Sequence, residues 1–187
     1  MLGYSALRTG LAYLPLGLSI LIAAGLAPAL VSQIGVRLVA VAGSGLSLAG
    51  LVLFTRIPTH GQLLTDIVIP SVIVGLGGGL VLLSTTIAAM SGVSAEHHGV
   101  AAALLNVSRQ LGGALGLAAI STVVASVAAR SAGRLGAELP VALTAGFRAG
   151  FAVSAALVGL AAIMALTLLR DDGRGERVNL VELQAQG

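Results

Sequence analysis

Of the 187 residues, 57% are hydrophobic and only 9% are charged, with 26 glycines and a mean hydropathy of +1.03. A soluble domain carries about 25% charged residues, so this composition excludes a water-soluble fold. Without cysteine there are no disulfides, thiolate metal sites or cysteine nucleophiles. The net charge of +3 rests on arginines scattered at the ends of apolar runs, a distribution that argues against nucleic acid as a partner.

Uncharged stretches run over 9–36, 38–55, 67–95, 110–129 and 149–169. Each reaches or approaches the roughly 20 residues needed to cross a hydrocarbon core of about 30 Å. They predict an all-α membrane protein, one bundle of about five transmembrane helices over 1–170. Residues 1–10, with Tyr4 and Arg8, form a polar lead without the layout of a cleaved signal. Helix one is expected over 11–31 with Pro15 and Pro28 inside it, which membrane helices tolerate. A tight turn at Ser32-Gln33-Ile34-Gly35 leads to helix two, 36–55. The loop Arg56 to Gln62 precedes helix three, 67–90, with Asp66 near its positive end. A polar hinge, 91–98, leads to helix four, 99–127. A wetter loop, 128–146, precedes helix five, 147–169. The tail 171–187 alternates in charge and is expected to be disordered. Short connections predict that consecutive helices pack as antiparallel neighbours.

Small residues suggest where backbones meet. Gly75/Gly79, Gly112/Gly116 and Gly146/Gly150 show the four-residue spacing that lets membrane helices approach closely. The run Gly75-Leu76-Gly77-Gly78-Gly79 also makes bending cheap. No strand precedes it and no Lys-Ser/Thr follows, so it is not a phosphate loop.

Arg109 lies about ten residues inside helix four. A charge at the bilayer centre is costly, so it either faces an interior path, as a gating or substrate-path residue, or snorkels to the headgroups. Asn106, Ser108 and Gln110 form a polar patch around it. Ser84, Thr85 and Thr86 either line a passage or bond back to their own helix. Glu96, His97 and His98 are poorly spaced for a metal and read better as a solvated hinge. No metal site and no cofactor is expected. Acidic residues are missing from the predicted helix interiors, which leaves no constellation for an intramembrane enzyme.

The segment Gly3-Tyr4-Ser5-Ala6-Leu7-Arg8-Thr9-Gly10-Leu11-Ala12-Tyr13-Leu14-Pro15, the glycine-rich third helix and the stretch Gly99 to Gly116, with Ser108-Arg109-Gln110-Leu111-Gly112-Gly113, resemble the last part of a major facilitator superfamily transporter. The closest resemblance is to the fourteen-helix branch of drug:proton antiporters. It implies that the five helices match helices ten to fourteen, with the N-terminus outside the cytoplasm and the C-terminus within it. The turn Leu30 to Arg37 resembles the family's cytoplasmic loop signature: Gly35 and Arg37 are retained, while Ser32 and Gln33 stand where an aspartate and an arginine are expected. Helix three then takes a cavity-lining position.

The function so implied is part of a proton-coupled secondary transporter that exports small amphipathic compounds or drugs across the cytoplasmic membrane. Its partners would be the lipid bilayer, the substrate, protons and a missing N-terminal portion, without which the five helices are expected to be inactive. The alternative is a non-transporting membrane protein that packs against a partner membrane protein.

Overall fold

The computed structural model describes residues 6–57, 67–135 and 138–169. The predicted polar lead around Tyr4, the stretch Pro58 to Asp66 and the tail 171–187 lie outside the described residues. Those described form five long helices: α1 (Ala6–Ile34), α2 (Val36–Phe54), α3 (Ile69–Met90), α4 (His98–Leu135) and α5 (Leu139–Leu168). A short 3₁₀ turn, Ala95–His97, precedes α4. All five are long and apolar enough to cross a membrane.

Burial runs opposite to that of a soluble protein. The buried apolar side chains are small: Ala23, Ala27, Val39, Ala40, Ala142 and Ala155. The largest fully buried side chains are Val39 and Ser84, whereas Leu21, Leu104, Leu115 and Leu168 stand exposed. Lipid tails solvate such leucines as well as a protein core does, so helices associate through close contact of small residues. The chain is a multi-pass membrane protein with an all-α fold.

Glycine decides the order of packing. A methyl group at Gly75 would fall on the Ser19 hydroxyl, and one at Gly79 would lie 2.5 Å from the Ile20 carbonyl oxygen, both on α1. On its other side α3 presents Gly77, where a methyl would lie 2.5 Å from the carbonyl oxygen of Gly43 on α2. Gly50 of α2 lies against Val74 and Pro70 in the same way. Thus α3 is wedged between α1 and α2. Helix α5 packs on α2, and α4 on α5.

This corrects the expectation that all consecutive helices pack together. Two consecutive pairs do, α2 with α3 and α4 with α5, but α1 barely touches α2, and α3 barely touches α4. The link between α1 and α2 is Gly35 alone, at φ 89 and ψ 156, backbone that favours glycine. Its amide donates to the Val31 carbonyl at 2.9 Å. From this point the two helices diverge and admit α3 between them.

The stretch 128–146, expected as a loop, is helical up to Leu135 and again from Leu139. It is rich in alanine, the best helix former, and Pro140 sits in the first turn of α5, where its missing N–H costs nothing. Falling hydropathy here marks a helical hairpin, not an end of helix. Similarly, α1 begins at Ala6, ahead of the predicted start.

Candidate functional site

Between α3 and α4, Arg109 forms a bridge. Its Nη2 donates to the Leu82 carbonyl of α3 at 2.9 Å and to the Thr86 hydroxyl. Thr86 itself donates to the same Leu82 carbonyl, 2.7 Å away. The guanidinium is therefore tied to one turn of α3 through two neutral acceptors. Arg109 lies about eleven residues into α4, roughly 16 Å from its start at 1.5 Å per residue. Leu82 lies about 12 Å from the end of α3 by the same measure. Both values approach half of a hydrocarbon core about 30 Å thick. Both groups thus lie several turns from the hinge ends of their helices, and the guanidinium is held against α3 by this bridge.

The other predicted polar residues distribute around this bridge. Ser84 is fully buried and donates to the Val81 carbonyl. Thr85 donates to Val81 at 2.6 Å. Such back-bonding satisfies a hydroxyl in an apolar setting without requiring another helix. Asn106 and Gln110 are exposed on α4, Asn106 one turn before Arg109. In the hinge, the Ser94 hydroxyl and His97 Nδ1 are 2.7 Å apart, while His98 Nε2 donates to the Val93 carbonyl at 2.9 Å. Glu96 lies 3.8 Å from His97 Nδ1. The two imidazoles thus have separate partners, and no group of three metal-ligating side chains occurs among the described residues.

The predicted glycines differ in surroundings. Gly75, Gly77 and Gly79 lie against neighbouring helices, whereas Gly78, Gly112 and Gly116 have nothing within 4 Å of an added methyl group. Gly35 makes the turn described above, and half-buried Arg37 follows it in the first turn of α2.

Sequence reasoning missed a second arginine. Arg148 of α5 donates from Nε and Nη2 to the Ile57 carbonyl just beyond α2, at 2.9 and 2.6 Å. One turn further on, Phe151 stacks on Phe54 with ring centroids 4.7 Å apart. Together they fasten α5 to the end of α2 and to the turn that follows it. The sequence signals that could have found the glycine contacts were the small-residue pairs Ser19/Ala23 and Gly43/Ser47, each with the same four-residue spacing.

No family model matches the chain. Curated proteins do. The chain is 36% identical over 126 residues to a puromycin resistance protein of Streptomyces alboniger, a match covering 66% of this chain and 25% of that protein. It is 34% identical over 124 residues to a cephamycin export protein of Amycolatopsis lactamdurans, covering 66% and 26%. An uncharacterized MFS-type transporter of Mycobacterium tuberculosis is 32% identical over 126 residues, covering 66% and 24%. The chain is a homologue of MFS-type transporters and efflux proteins. It spans about a quarter of the length of these relatives. None of the three is described as an enzyme, and five apolar helices fit a partial bundle of such a transporter.

Proposed function

We propose that these helices are part of a proton-coupled secondary transporter that exports small amphipathic compounds across the cytoplasmic membrane. The observation that carries this reading is the similarity, over two thirds of the chain, to proteins named for antibiotic resistance and export. In this reading the chain is the C-terminal part of a fourteen-helix drug:proton antiporter, and α1 to α5 are its helices ten to fourteen. The N-terminus is extracytoplasmic and the C-terminus cytoplasmic, so the turn at Gly35 and the hinge 91–97 face the cytoplasm.

Export here is movement without covalent chemistry. One helical bundle rocks against another around a site near the bilayer midplane. Helix α3 faces that site, with Ser84, Thr85 and Thr86 beside the path and Arg109, Asn106 and Gln110 entering from α4. Gly77 lets α3 lie directly against α2, and Gly78 faces open space, so bending of α3 there meets no neighbour among the described residues. The described carboxylates, Glu96 and Glu138, lie at helix ends, and in this reading the group that takes up and releases the proton belongs to further helices of the complete transporter. Five helices alone do not transport.

A second reading is favoured by the open face of α4: a non-transporting protein that packs against a membrane partner. Everted membrane vesicles from the source organism separate the two. With the gene intact, an imposed proton gradient should drive uptake of an amphipathic fluorescent dye, and a protonophore should abolish it. Unchanged uptake after deletion of the gene would leave the packing reading in its place.

A further inference from the structure

We infer that Arg109 is one half of an intramembrane ion pair whose carboxylate is carried by a transmembrane helix outside the described residues. This helix would sit in the groove between α3 and α4. The inference rests on the reading that further helices complete the transporter.

Four observations lead to it. An arginine guanidinium keeps its charge and offers five N–H donors. Nη2 is used towards Leu82 and Thr86, which leaves the Nε–H and both Nη1–H without a partner among the described residues. Both acceptors are neutral, so the charge has no counter-ion among the described residues, and charges within a bilayer are paired or line a cavity.

The described part of the chain cannot supply the counter-charge. Its carboxylates are Glu96, in the exposed hinge beside His97, and Glu138, at the start of α5. A second copy would bring the chain's seven carboxylates, none of which falls inside an uncharged run of the sequence. Lipid phosphate is also a poor source, because the bridge to α3 holds the guanidinium about 12–16 Å from the hinge end of both helices.

The groove has room for a helix. Gly112, Gly113 and Gly116 follow Arg109 at three, four and seven residues, on the same face of α4. An added methyl group at any of them meets nothing within 4 Å. A second backbone could therefore approach closely and bring a carboxylate alongside Nε and Nη1, a charge-assisted and geometrically selective contact. The relatives are about four times longer than the matched stretch and offer further chain from which such a helix could come.

Photocrosslinking in native membranes tests this. With p-benzoylphenylalanine in place of Gly113, or of Gly116 in a second variant, illumination should join α4 to a transmembrane peptide. That peptide should carry an Asp or Glu within about one helical turn of the adduct. Arg109→Gln, or the amide variant of that carboxylate, should each lower the adduct yield severalfold, and the two together should lower it no further. Adducts to lipid alone, to a small molecule, or to a helix lacking a carboxylate would overturn the assignment. An acidic helix captured in membranes without dye export would keep the ion pair and remove the transport reading. Dye export with lipid adducts only would do the reverse.

Discussion

At the scale of single residues, space beside the glycines decides what a substitution does. Gly79→Ala would press a methyl against the Ile20 backbone, which cannot move aside as a flexible side chain can. We expect a loss of about 1–3 kcal/mol, read as a lowered midpoint of helical unfolding in mixed micelles. Gly78→Ala meets open space and should instead gain about 0.5–1 kcal/mol from reduced backbone freedom. Equal effects of the two would contradict the wedge arrangement of α3. The spacing of Gly75 and Gly79 pointed to a close approach, but the same spacing at Gly112 and Gly116 meets nothing within 4 Å among the described residues. The partners were not legible, since a four-residue spacing names a face of one helix and not the helix that meets it. Arg109 stood out because a charge inside an apolar run needs a destination, and the sequence left an interior path and the headgroups both open. That the destination is the Leu82–Thr86 turn of α3 depends on how two helices sit in space, which no local pattern encodes.

At the scale of helices, Arg148 and Phe151 act as one clamp between α5 and α2. Arg148→Gln should weaken the pairing of these helices by about 1–2 kcal/mol, since a hydrogen bond to a charged donor contributes about 1.5–3 kcal/mol before exposure reduces it. Faster proteolytic release of α5 in micelles would report the change, and an unaltered digestion rate would contradict it. The clamp was invisible in the sequence because hydropathy treats an arginine as the end of a span and says nothing of what it binds. The hairpin between α4 and α5 was misread by the same measure. Helix α4 has 38 residues and α5 has 30, so at about 1.5 Å per residue both exceed a core of about 30 Å. Since Arg148 meets the end of α2, the α4–α5 hairpin extends beyond that level as helix. The chain has no cysteine, which makes single-cysteine labelling clean. Ala132→Cys should react with a membrane-impermeant maleimide, whereas Leu115→Cys, deep in α4, should not. Failure of Ala132→Cys to react would place the hairpin inside the bilayer.

Across the whole molecule, the membrane class and helix number were readable because a bilayer imposes a minimum apolar length on each span. Spatial order was not readable. Short links suggested sequential neighbours, but α3 inserts between α1 and α2, and α5 reaches back to α2. A one-residue turn at Gly35 fixes where two helices meet, not whether they stay together. The result is a bundle with a tight centre of small residues and an open flank along the first half of α4. This flank carries the charge at Arg109, so removing the charge should affect transport more than insertion of the chain into the membrane. In the function we propose, these helices work as part of a proton-driven exporter. The most direct test is gradient-driven dye uptake by everted vesicles carrying Arg109→Ala in the otherwise intact gene. We expect uptake to be lost while the amount of the chain in the membrane is unchanged. Uptake equal to that of the unaltered protein, at equal chain level, would contradict the account.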